Sequence, residues 1–104
     1  MRRIQYAGGT FVTGDVAAGA ICDYAATLAN AGRAASVVVP VLAEDGRQEE
    51  VEMVIGPSSQ LLSEAIESER EAPDGVEFAA HLRDEIARLS WRPPLTSSLA
   101  DWEL

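Results

Sequence analysis

Lysine is missing from this 104-residue chain: all eight basic residues are arginine, and they face 17 Asp and Glu for a formal net charge of −9. A chain so short of positive charge lacks the usual means of holding DNA, RNA or an anionic lipid surface. Cysteine is nearly missing too. Cys22 stands alone, which excludes an intramolecular disulfide and a Cys-rich zinc site and fits a reducing, cytoplasmic setting. Long apolar runs are also lacking. The longest stretch of low charge, residues 16–41, is broken by Asp23, Asn30, Gly32 and Arg33, so it is no membrane span. After Met1-Arg2-Arg3 the chain carries Gln5, Gly8, Gly9 and two threonines, not the apolar core of a secretion signal. Neither nucleic acid nor membrane is expected as a partner.

With 47% hydrophobic residues, the length suits one compact domain over residues 1–90, with a C-terminal tail over 91–104 expected to pack on that domain or on a partner subunit. Charge divides the chain unevenly. Up to residue 43 there are Arg2, Arg3 and Arg33 against Asp15 and Asp23, whereas residues 44–104 hold five Arg and fifteen acids. The whole negative excess therefore lies in the later part.

Two short strand-like runs, residues 4–7 and 10–13, flank Gly8-Gly9, and a two-residue turn there would set Tyr6 opposite Phe11. Asp15 is placed to cap a first helix, and Gly32 to end it. At 100° per residue, Val16, Ala17, Ala20, Ile21, Tyr24, Leu28 and Ala31 form its sheet-facing side. The opposite side, with Ala18, Cys22, Ala26 and Ala29, has too little charge for open solvent. A second helix of the same chain or a second subunit is expected to cover it.

Residues 36–42 and 48–55 read as a second hairpin around Asp45-Gly46. A three-residue loop, Glu44-Asp45-Gly46 with Gly46 left-handed, opposes Val39 to Val51 and Val37 to Met53. That register keeps apolar side chains on one face. Its other face opposes Pro40 to Glu50 and Val38 to Glu52, and Pro40, lacking a donor, marks an edge or bulge. A second helix is expected after residues 56–59, with Leu61, Leu62, Ala65 and Ile66 as its apolar stripe, ending at Pro73. Asp74 and Glu77 have capping-box spacing for a third helix that buries Phe78, Leu82, Ile86 and Leu89. The expected fold is α+β, a two-layer β-β-α-β-β-α-α arrangement with a largely antiparallel four-stranded sheet and helices mainly on one face.

Chemistry has few footholds. Gly56, Ser58 and Ser59 precede an expected helix, where free N–H groups and the helix dipole favour a small anion, although structural capping explains the same residues. His81 lies four residues from both Glu77 and Glu85, a spacing more typical of an exposed charge pair than of a metal ligand or general base. Cys22 has no neighbouring base, and no serine sits in a Gly-x-Ser-x-Gly elbow. No catalytic residue, metal site or cofactor is expected. The function that fits best is a small non-catalytic interaction or assembly module forming a homodimer, with Ala18, Cys22, Ala26, Leu99 and Trp102 at the interface. An anion-binding domain or minor enzyme using residues 56–59 is the alternative, and an acidic inhibitor of a basic protein is another.

Overall fold

The computed structural model describes residues 1–91. Its elements are β1 (Arg2–Tyr6), β2 (Gly9–Thr13), α1 (Asp15–Ala31), β3 (Ala35–Leu42), β4 (Gln48–Ile55), β5 (Leu62–Ala65) and α2 (Val76–Ser90). The class is α+β, as expected, with five strands in the order β4-β3-β2-β1-β5, all antiparallel. No helix among the described residues is long and apolar enough to cross a membrane.

The β3-β4 hairpin has the expected register, Val39 opposite Val51 and Val37 opposite Met53. Gly46 is left-handed at φ 89°, and Ala43 donates to the Arg47 carbonyl at 2.8 Å across the three-residue loop. Alternation then sends Val37, Val39, Val41, Met53 and Ile55 into the core. The first hairpin differs from its expectation by two residues. Tyr6 opposes Gly9, and Ile4 opposes Phe11, so the turn is Ala7-Gly8. Both registers keep the same face, but this one sets Ile4 and Phe11 side by side in the core. Tyr6 and Phe11 become diagonal neighbours, their ring centroids 5.9 Å apart.

The helix expected after residue 59 is a strand. Good helix formers fill this stretch, yet propensity differences are small beside the partners that β1 supplies. Arg2 donates through Nε to Ser63 Oγ at 2.7 Å and through Nη2 to the Ser63 carbonyl at 2.9 Å. Arg3 and Gln5 both donate to Glu64 Oε1, at 2.9 and 3.1 Å. β5 thus pairs the otherwise open edge of β1. Leu61 and Ile66, at the two ends of the strand, are half-buried and Leu62 is exposed.

Both helix starts shift from expectation for one reason. α1 is capped by Gly14 without a side-chain bond, and Asp15 is its first helical residue. α2 is capped by Gly75, while Asp74 accepts from the Val76 N–H at 3.2 Å. A Cβ on Gly14 would lie 2.5 Å from the Pro73 carbonyl oxygen, and one on Gly75 would lie 2.7 Å from Ala17 Cβ. The chain passes itself too closely here for side chains at either cap. α1 ends as expected: Gly32 and Arg33 donate to the Ala29 and Leu28 carbonyls, at 3.2 and 3.0 Å.

The two helices lie side by side on one face of the sheet, joined by Arg83 to Asp23 at 2.5 Å and by buried Ala79 and Leu82 against α1. α2 thus supplies part of the cover expected for the second side of α1, over Ala18 and part of Cys22, while Ala26 and Ala29 stay exposed. Val16 and Ala31, expected against the sheet, are exposed at the ends of the helix. Of the four α2 positions expected to be buried, Leu82 is fully enclosed and Phe78, Ile86 and Leu89 partly so.

Gly75, with φ 67°, tests this packing. Gly75→Ala is expected to destabilise the protein by roughly 2 kcal/mol or more, since left-handed strain and the Ala17 contact act together. Gly19→Ala, in mid-helix with nothing within 4 Å of the new Cβ, is expected to stabilise it by about 1 kcal/mol. Urea unfolding of the two variants measures both signs.

Candidate functional site

β2 and β3 share one register pair, Val12 with Leu42. All pairings are antiparallel, so Tyr6, Leu42, Gln48 and Leu62 lie towards one end of their strands and Thr13, Ala35, Ile55 and Ala65 towards the other. With pairing confined to Val12 and Leu42, the β3-β4 half is displaced along the strands and runs on past the Thr13 end of the β1-β2-β5 half. Residues 56–61 return from the far end of β4 to β5 and border a cleft of about 790 Å³. Its walls are the end of β1 with Ala7, Met53 and Val54 of β4, and residues 56–62.

None of the twelve lining residues carries a formal charge. The polar groups are the Tyr6, Ser58 and Ser59 hydroxyls and the Gln5 and Gln60 amides; Val54 and Leu62 bring exposed apolar surface. Gln5 is already engaged with Glu64. The expected Gly56, Ser58 and Ser59 group does line this cleft, but the reason given for it to hold an anion does not survive. No helix follows the turn. The Ser59 hydroxyl accepts from the Gly56 N–H at 2.9 Å, and the Ser59 N–H donates to the Gly56 carbonyl at 3.1 Å. The turn is closed on itself, and no cation among the described residues lines the cleft. An uncharged cleft of this kind suits a neutral or apolar group.

The expected interface group is dispersed. Ala18 is fully buried and Cys22 half-buried, whereas Ala26 is exposed. Neither Ala18 nor the covered part of Cys22 is open to a partner. Burial pushes the Cys22 thiol above its ordinary pKa, and neighbouring Asp23 adds to the shift, so the group is held as the less nucleophilic thiol. His81 is exposed. Among the described residues no three His, Cys, Asp or Glu side chains gather around a common point for a metal ion. Leu99 and Trp102 lie outside the described residues, and Trp91, just before them, is exposed.

The sheet face turned away from the helices was foreseen only in the β3-β4 hairpin, through Pro40 opposite Glu50 and Val38 opposite Glu52; its β1, β2 and β5 members were not. Register assigns Arg3, Gln5, Val12, Val38, Pro40, Leu42, Glu50, Glu52, Val54 and Glu64 to it. Val38 is 47% exposed, Val54 70% and Leu62 55%, and Val12, Pro40 and Leu42 are half-buried. An apolar band along β3 is thus bordered by Glu50 and Glu52 on one side and by the Arg3–Glu64 ion pair on the other. Hydrogen bonds from Arg3 and Gln5 hold the Glu64 carboxyl below its ordinary pKa. One available signal was Arg2-Arg3 itself. The early part of the chain offers only two acids, so partners for these arginines had to come from beyond residue 43.

The chain matches no protein-family model, no curated protein and no solved structure. Its own geometry carries the functional reading. Inorganic phosphate is expected to leave the backbone amide resonances of residues 56–60 unmoved in an NMR titration. Saturable shifts there would restore the anion reading.

Proposed function

We propose that the chain is a small non-catalytic interaction module whose working surface is the uncovered face of its sheet, and that a second copy is its partner. The apolar band of Val12, Val38, Pro40 and Leu42, bordered by charged side chains, carries this reading. Such a surface has the composition of an interface, apolar at the centre and polar at the rim. Helices cover the other face, so this is the face on which added burial gains most.

A two-fold arrangement lays the band of one copy on that of its mate, as in the face-to-face packing of two sheets. The ion pair of Arg3 with Glu64 and the carboxylates of Glu50 and Glu52 then lie at the rim, where water still reaches them. The lone thiol of Cys22, half-buried in α1, supports a cytoplasmic site of action.

A second reading rests on the cleft that residues 56–62 border with the ends of β1 and β4. At about 790 Å³ it falls within the range of small-molecule sites, and its uncharged lining favours a neutral ligand over an anion.

Sedimentation equilibrium tests the main reading. The wild-type chain is expected to be a dimer at micromolar concentration, and Val38→Glu with Val54→Glu to yield a folded monomer. A wild-type monomer throughout that range, or a dimer indifferent to both substitutions, would contradict it.

A further inference from the structure

We infer that the free edge of β4 is an acceptor for an extended basic segment of another protein, which adds to the sheet as a further strand. β4 bounds the sheet, paired with β3 on one side and with no strand among the described residues on the other. The direction of its backbone groups follows from two hydrogen bonds. Thr13 Oγ1 donates to the Pro40 carbonyl at 2.7 Å, so Pro40 turns its backbone towards β2. Ala43 donates to Arg47 across the hairpin, which makes the odd-numbered residues of β3 the ones bonded to β4.

In an antiparallel pair, bonded and non-bonded positions alternate, and residues in a non-bonded pair direct both N–H and C=O away from each other. Glu50, opposite Pro40, Glu52, opposite Val38, and Val54, opposite Ser36, therefore present their donors and acceptors at the open edge. Their side chains share the uncovered face of the sheet.

Natural edge strands are commonly blunted by shortness, proline, a bulge or lysine. β4 is eight residues long and contains no proline. Its protection is negative charge. Arg47 neutralises Asp45 and Glu49 at 2.6 and 3.2 Å, while no basic residue among the described ones pairs with Glu50 or Glu52. Two β4 edges joined about Val51 would oppose Glu50 to Glu52 twice, and like charges directly opposite are destabilising. The same carboxylates attract a cationic strand. Complementarity thus selects a segment with Lys or Arg facing Glu50 and Glu52, two residues apart, and an apolar residue facing Val54. This goes beyond the dimer, because it uses the edge of the sheet and not its face.

The probe is a fluorescein-labelled peptide of alternating lysine and threonine, followed by fluorescence anisotropy at low salt. Two further versions carry N-methyl groups on every second residue, in one phase or the other. Binding is expected for the unmodified peptide and for one methylated phase only, because an added strand turns one set of its amides towards β4. Glu50→Gln with Glu52→Gln is expected to weaken binding by about tenfold or more. In hydrogen exchange, the amides of Glu50, Glu52 and Val54 should become protected when the peptide is added. Absence of binding, or equal binding of both methylated phases, overturns strand addition. The second of these outcomes would leave charge attraction alone.

Discussion

The close seat of Gly75 against Ala17 is the constraint on which the rest of the molecule depends. It brings the start of α2 beside the start of α1 and fixes both helices on the same face of the sheet. Small side chains make this possible: Ala17, Ala18 and Ala79 leave room for Leu82 to reach the core, and Arg83 ties to Asp23 further along. Two helices used this way leave none among the described residues for the other face. A strand layer with one uncovered face is a stable solution only where that face is polar or is covered by something else, and here an apolar band runs through it.

The second consequence comes from the opposite edge. β5 is held by β1 through Arg2, Arg3 and Gln5, which makes residues 56–61 cross from one edge strand to the other. Because β2 and β3 share only the Val12 and Leu42 pair, the segment spans a gap instead of lying flat on a closed sheet. The cleft and the uncovered face are therefore products of the same topology. Charge follows it as well: the paired acid Glu64 lies on the β5 side, and Glu50 and Glu52, with no basic partner among the described residues, lie on the β4 side.

The features legible in the sequence were those fixed by local chemistry. Gly46 in a three-residue loop determined the register of a whole hairpin, and Gly32 marked the end of α1. Ala18 and Cys22 signalled that α1 has two covered sides. Features fixed by distant partners were not legible. Residues 62–65 read as helix because their strand character comes from Ser63 and Glu64 meeting arginines some 60 residues earlier. The reason for expecting an anion there went with that helix, since the dipole expected behind Gly56 and Ser59 is not there. The two caps were each displaced by one residue because Gly14 and Gly75 answer to close approaches across the fold and not to their sequence neighbours.

The sheet face turned away from the helices is the proposed working surface. Its most direct measurement is a dilution series of amide proton–nitrogen spectra. Concentration-dependent shifts should appear at Val12, Val38, Leu42 and Val54 and be absent from the solvent sides of α1 and α2. Spectra that do not change with concentration, or shifts confined to the helices, would contradict it.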